Sequence, residues 1–246
     1  MPNERLRAAL LERGVTPYAL AEKIGVDQKT VERWIGGRTP YRRHRYAIAT
    51  HLGVDEVMLW PDALTRDQVA IASESEVVAI YPHRNDVPND AWARLFATAE
   101  HDIGVLVYSG LFLAENQNAQ RVLAEKARAG VRVRILLGAS DSEQVAERSV
   151  NEGAEGIVES KIHNVLVLYR PLRQVKGVEF RFHSTVLYNS IYLADSQLLV
   201  NTHIYGLPAA HAPVWHLRKI PGGEIAACYL ESFEKVWESA TPAPEV

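Results

Sequence analysis

The hydrophobic period changes once along the chain, and that change implies two different kinds of fold. Up to about residue 60, apolar side chains recur at helical spacing in short bursts: Leu6, Ala9 and Leu10; Ala19, Leu20 and Ile24; Val31, Trp34 and Ile35; Ile48 and Leu52; Val57 and Leu59. Bursts of that length predict four or five short helices. From Val77, strand-like runs alternate with amphipathic stretches: "VVAIY", a helix carrying Trp92, Leu95, Phe96 and Ala99, "IGVLVY", a helix from about Asn118 to Ala129, and "VRVRILLG". Such alternation predicts parallel strands with helices packed on the sheet faces. From "GIVESKIHNVLVLYR" onward the pattern reads as successive strands, through "VEFRFH", "VLYNSIYL" and "QLLVNTHIY". A last helix follows, with Ile225, Tyr229, Phe233 and Trp237 on one stripe. The expected organisation is an all-α domain over residues 1–62, a polar linker over 63–75, an α/β domain with a mixed sheet over 76–240, and a disordered Pro-rich tail over 241–246.

With 246 residues and 47% hydrophobic content the chain can bury a core. No apolar run reaches the roughly 18 residues of a membrane span. The opening "MPNERLRAALLERG" is too charged for a signal peptide, so a cytoplasmic protein without a membrane partner is expected. A single cysteine, Cys228, cannot close an internal disulfide or build a thiolate metal cage, and reads as a small buried group in the last helix. His211 and His216 flank "APVW" in an expected loop without metal-site spacing, and no Gly-rich phosphate loop occurs, so neither metal nor cofactor is expected. Residues 1–50 hold ten Lys or Arg against five Asp or Glu, a charge of +5; the total of -3 leaves -8 for the remainder. A basic front and an acidic remainder imply that only the front meets a polyanion.

Within the front, Thr16 before Pro17 has the form of an N-cap with proline at the first helical position, and Asp27 before "QKTVERW" makes a second N-cap. "KIGVD" between them has the length of a turn joining two helices steeply. The segment "TPYALAEKIGVDQKTVERWIGGRTP" resembles the helix-turn-helix of the Cro and phage-repressor (XRE) type, through Ala21, Gly25, Val31 and Trp34 and the following "GGRTP". The resemblance implies that the second helix lies in the major groove of double-stranded DNA. Gln28, Lys29 and Thr30 would then stand at its reading end, with Glu32 and Arg33 a turn further on. Arg38, Arg42 and Arg43 would neutralise phosphates, and a homodimer on a two-fold operator is implied. The alternative is an ordinary solvated helix face on a supporting bundle.

The second domain resembles the phospholipase D superfamily, whose signature is His-x-Lys, four residues, Asp, six residues, Gly-Ser-x-Asn. The likeness rests on the hairpin "YNSIYLADSQLLVNTHIYG" around Asp195. In that register Tyr188 stands at the histidine, Ser190 at the lysine, Thr202 at the glycine, His203 at the serine and Tyr205 at the asparagine; only the aspartate survives. Sliding the register to make His183 the nucleophile puts Thr185 at the lysine and Ser190 at the aspartate, which loses the aspartate too. An unassisted tyrosine, with a pKa near ~10, is a poor substitute nucleophile, so no catalysis is expected.

Counting back from a two-residue turn at Asp195 and Ser196 sets Leu193 opposite Leu198, Ser190 opposite Asn201 and Tyr188 opposite His203. Tyr188, Ser190, Asn201 and His203 then share a face, with Tyr205 continuing the row and His183 close by. These six are candidates for gripping a small polar or phosphate-containing ligand; a satisfied buried network or an exposed sheet face fits the same positions. Arg132 and Arg134 read as the polar side of a strand end, and "GLPAAHAPVWHLRK" as a lid or dimer arm. As a whole the chain resembles actinobacterial XRE-type regulators with a C-terminal phospholipase D-related domain, through "LYNSIY", "LLVNTH", "YG" and "HLRK". That likeness implies a transcription factor whose effector domain is a degenerate enzyme. Rival readings are a phosphodiesterase or nuclease that a helix-turn-helix brings to DNA, and a DNA-tethered interaction scaffold.

Overall fold

A computed structural model describes residues 2–61, 76–221 and 223–243, without the side chains of Arg42 and Val57; the expected linker lies outside the described residues. They fall into two compact units, the second beginning at Glu76. No helix among them is long and apolar enough to cross a membrane.

The first unit is helical: α1 (Glu4–Glu12), α2 (Pro17–Ile24), α3 (Gln28–Ile35), α4 (Arg42–Leu52) and α5 (Glu56–Leu59). Local chemistry sets the helix starts. Asn3 accepts the Leu6 N–H, Thr16 the Ala19 N–H and Asp27 the Thr30 N–H, each satisfying a donor that a helix leaves open. Gly25 ends α2 at φ 71°, which turns the chain into α3 without the penalty a side chain would carry. Leu6, Leu20, Val31, Trp34, Ile48 and Leu52 form the core. Arg45 is buried against α5, pairing with Glu56 at 2.6 Å and donating to the Pro40 carbonyl at 3.0 Å.

The second unit is built on β1 (Val77–Tyr81), α6 (Ala91–Ala97), β2 (Asp102–Leu106), α7 (Leu111–Ala114), α8 (Gln117–Arg128), β3 (Arg132–Gly138), α9 (Glu143–Asn151), α10 (Ile157–Leu168), α11 (Arg170–Arg173), β4 (Val178–His183), β5 (Asn189–Ala194), β6 (Gln197–Thr202), β7 (Val214–Arg218), α12 (Ile225–Ser239) and β8 (Thr241–Pro242). Its eight strands form one mixed sheet in the order β1-β7-β6-β5-β2-β3-β4-β8. Only β2, β3 and β4 run parallel. The β5–β6 hairpin has Leu193 against Leu198 and Ser190 against Asn201, the register that counting predicts.

Alternation along the strands feeds two cores. Ile103, Val105, Val133, Ile135 and Tyr192 pack on one face with Trp92, Phe96 and Leu123. Leu106, Leu136, Ile191, Leu193 and Leu198 pack on the other with Ile162, Phe233 and Trp237. Gly104 is required there, because a Cβ would stand 2.6 Å from the Phe233 ring and 2.8 Å from Leu193. The carboxylate of fully buried Glu76 accepts the N–H groups of Ile225 and Ala226 at 2.9 Å each, capping α12.

Several sequence expectations are corrected. "VVAIY" does not open a parallel array: β1 is an edge strand paired antiparallel with β7. "GIVESKIHNVLVLYR" forms α10, because Val158, Ile162 and Val165 bury one helical stripe. "APVWHLRK" is no lid or arm; it supplies β7, inside the sheet between β1 and β6, with His216 in the strand. The tail begins ordered, since Thr241 and Pro242 pair with β4. Cys228 is exposed, on the outer side of α12. Arg134 is the largest surprise: with 1% of its side chain exposed it bonds Asp102 and Glu234 and lies over the Phe233 ring at 4.7 Å. Two carboxylates and an aromatic face together offset its burial.

Candidate functional site

In the first unit, Gln28, Lys29, Glu32 and Arg33 are exposed along one side of α3, and Thr30 is half-buried. Two of these side chains are already engaged. Gln28 Nε2 donates to Glu32 Oε1 at 2.8 Å, and the Thr30 hydroxyl donates to Asp27 Oδ2 at 2.7 Å, which leaves the Thr30 methyl as its free contact. Those hydrogen bonds from Thr30 hold the Asp27 carboxyl below the usual carboxylate range. Beside α3 lies a cleft of about 370 Å³ lined by Thr30, Arg33, Arg38, Tyr41, Arg43 and His44. Arg43 Nε donates to His44 Nε2 at 3.1 Å, and the His44 ring lies 5.4 Å from that of Trp34. α4 starts here without a side-chain cap, so its first N–H groups add to the positive rim. The Arg42 side chain lies outside the described residues.

In the second unit, Asp195, the residue that the sequence sets on the phospholipase D aspartate, ties elements of the fold together. Asp195 sits at φ 49° in the β5–β6 turn, a left-handed conformation that aspartate tolerates. Its carboxylate accepts N–H groups of Glu100 at 2.7 Å, His101 at 3.0 Å and Asp102 at 2.8 Å, tying the hairpin to the start of β2. Burial opposes ionisation, but these three donors outweigh it and depress the carboxyl pKa.

Ser190 stands opposite Asn201 and Tyr188 opposite His203 as counting predicts, but the six ligand candidates do not converge on one site. Ser190 and His203 come together, with Oγ and Nε2 3.0 Å apart. His203 Nδ1 lies 3.1 Å from the Leu187 carbonyl, which can only accept, so Nδ1 carries the proton and Nε2 accepts from the Ser190 hydroxyl. The imidazole stacks on the Tyr108 ring, 5.7 Å between centroids. Burial, then the charge of Arg148, pushes the His203 pKa down to about 4. His183 is buried and engaged elsewhere, with Nε2 3.1 Å from the Val107 carbonyl and Nδ1 accepting the Thr185 N–H. Asn201 is fully buried and holds the approach to β7, donating to the Ala212 and Pro213 carbonyls. Tyr188 and Tyr205 point into solvent, 80% and 87% exposed. Both His183 nitrogens and the Asn201 amide nitrogen are spent on backbone partners, whereas Asn201 Oδ1 is buried without a hydrogen-bond partner among the described residues.

Ser190 and His203 instead open into a cavity of about 250 Å³ whose charged lining comes from Arg84, Glu115, Arg148, Glu152 and Lys161. Arg148 and Lys161 share the Glu152 carboxylate, at 2.9 and 3.0 Å. The Arg84 guanidinium lies 4.1 Å over the Phe112 ring. Sequence reasoning missed these cations. Arg148 and Lys161 come from the consecutive helices α9 and α10 and Arg84 from a short turn well before them, with no motif spacing to link the three. Among the described residues no group of three or more metal-ligating side chains occurs.

No protein-family model matches the chain, and no curated protein does. Among solved structures the chain is similar to TrmBL2, an archaeal chromatin protein whose structure shows a novel mode of DNA binding, at 14% identity and a TM-score of 0.43. That alignment covers 88% of this chain, which spans 66% of the length of TrmBL2. It is also similar to Nuc, a phospholipase D family member from Salmonella typhimurium, at 17% identity and a TM-score of 0.37, over 62% of this chain and 88% of Nuc.

Proposed function

We propose that the chain is a sequence-specific regulator that reads double-stranded DNA through α3 as a homodimer, and that its α/β unit receives a small polar ligand without turning it over. The observation that carries this reading is the outer side of α3. A capped helix presents Gln28, Lys29, Glu32 and Arg33 to solvent beside a cleft holding Arg38 and Arg43. Side chains of this kind at the start of a helix can reach base edges, while flanking arginines neutralise phosphates. Glu32 holds the Gln28 amide and so presets its direction. A single short reading helix binds weakly, which favours two copies on a two-fold site.

Absence of catalysis is supported by the chemistry at the motif positions. Tyr188 is exposed to solvent, and Ser190 has no ammonium to offer a phosphoryl oxygen. Selection from random duplexes tests the DNA reading: a short two-fold symmetric site is expected, and Gln28→Ala should relax its sequence preference. Recovery of no preferred sequence would refute it.

One observation favours a second reading. The Ser190 hydroxyl donating to a neutral imidazole is the arrangement of an activated nucleophile and its base. Against it, His203 is oriented by a carbonyl instead of a carboxylate, and Arg148 disfavours the imidazolium that proton transfer would form. Hydrolysis of a chromogenic phosphodiester or ester by the wild-type chain, lost in Ser190→Ala, would establish that reading.

A further inference from the structure

We propose that the pocket beneath Ser190 and His203 takes a nucleoside monophosphate, phosphate inward and base outward; the assignment rests on reading the α/β unit as a ligand receptor. Charge argues the inner end. Arg148, Glu152 and Lys161 form an ion cluster with two cations and one carboxylate, and the Arg148 and Glu152 side chains are only 10% exposed. Arg84 adds a further positive charge, and the one other carboxylate on the lining, Glu115, is exposed. Three cations against two carboxylates leave the lining with a positive surplus, carried by the part-exposed Arg84 and Lys161, that an anion would balance. After burial, the Arg148 charge lowers the His203 pKa most, while Glu152 opposes it more strongly than Arg84 reinforces it. Ser109 and Ser190 supply hydroxyls, and about 250 Å³ accommodates a phosphate with a sugar behind it.

Geometry argues the outer end. A second cleft of about 240 Å³ shares Tyr108, Arg148 and His203 with the first and is walled by Tyr188 and Tyr205. Two large rings, each at least 80% exposed, line this second cleft together with Glu147, next to the residues it shares with the cationic cavity. Tyrosine faces stack on any nucleobase, a contact that tolerates sequence and needs no further polar group. An inorganic anion would leave both rings unused, and an apolar ligand would leave the surplus charge unmet. A phosphate ester carrying a flat ring uses both ends.

Calorimetric titration of the full chain with AMP, GMP, CMP and UMP, and with inorganic phosphate and adenosine as halves of the ligand, tests the assignment. At least one nucleotide is expected to bind tenfold or more tightly than either half. Arg84→Gln should weaken nucleotide and phosphate alike by about tenfold. Tyr188→Ala or Tyr205→Ala, surface changes that leave the core untouched, should weaken the nucleotide about tenfold and leave phosphate unchanged. Equal binding of phosphate and nucleotides, indifferent to the tyrosines, would overturn the assignment, as would tyrosine variants that alter only the oligomeric state in sedimentation. Silent nucleotides, alongside a thermal-shift hit from a metabolite library that Arg84→Gln abolishes, would overturn it and spare the receptor reading. Silence in both would remove the two together.

Discussion

Replacing Asp195 measures what its carboxylate does for the fold. Its Oδ1 accepts from His101 and Asp102 and its Oδ2 from Glu100. A hydrogen bond to a charged group contributes about 1.5–3 kcal/mol and such bonds are not additive, so losing three from a half-buried carboxylate should cost about 2–3 kcal/mol. A left-handed backbone without a local polar group adds about 1 kcal/mol, bringing Asp195→Ala to about 3–4 kcal/mol. Asp195→Asn keeps an oxygen for two of the three donors and tolerates the same φ, so it should cost about 1–1.5 kcal/mol. Asp195→Gly, which relieves the backbone but restores no acceptor, should fall between them. Equilibrium urea unfolding followed by circular dichroism measures the series. The sign with pH is fixed as well. The native pKa is depressed below the ordinary carboxylate value, so the carboxylate's extra stability is present above that ordinary value and fades as pH falls through the native one. The gap between wild type and Asp195→Asn should therefore close in acid. An alanine variant within 1 kcal/mol of wild type at neutral pH, or a gap that persists in strong acid, would refute the reasoning.

Three further outcomes follow from the same structure. Arg134→Ala should destabilise the second unit by about 3–5 kcal/mol in thermal or urea unfolding, because Asp102 and Glu234 lose their shared cation, whereas Arg134→Met should recover part of that loss through packing on Phe233. His203 should stay neutral down to about pH 4 in proton NMR; since the unfolded imidazole protonates at higher pH than the folded one, this residue makes stability rise with pH between about 4 and the ordinary imidazole value of about 6.5. Cys228 should react stoichiometrically with a maleimide in the native protein, as its exposure on α12 requires, and a thiol protected until denaturation would contradict that placement.

Features fixed by neighbouring residues were legible in the sequence. Thr16 and Asp27 cap α2 and α3 because a short polar side chain three residues before an open N–H has few other uses. The hairpin register followed from counting, since a two-residue turn and a period of two leave one alignment. Features fixed by distant partners were not. Arg134 looked like a solvent-facing strand residue because its carboxylates lie 32 and 100 residues away. The β-branched run of α10 imitated a strand, although its Val158, Ile162 and Val165 spacing was helical. The pocket's half in the hairpin was visible through Ser190 and His203, while Arg84 and the Arg148–Lys161 pair on α9 and α10 met it only once the fold brought these elements to the hairpin.

Recognition of DNA by α3 is tested most directly by fluorescence anisotropy of the full chain on a selected duplex and on a scrambled one, over a range of salt concentrations. The selected duplex should bind at least a hundredfold more tightly. Gln28→Ala should shrink that ratio, while Arg43→Ala should weaken both duplexes alike and lower the salt slope by about one. Equal affinity for the two duplexes, or binding that neither substitution alters, would contradict it.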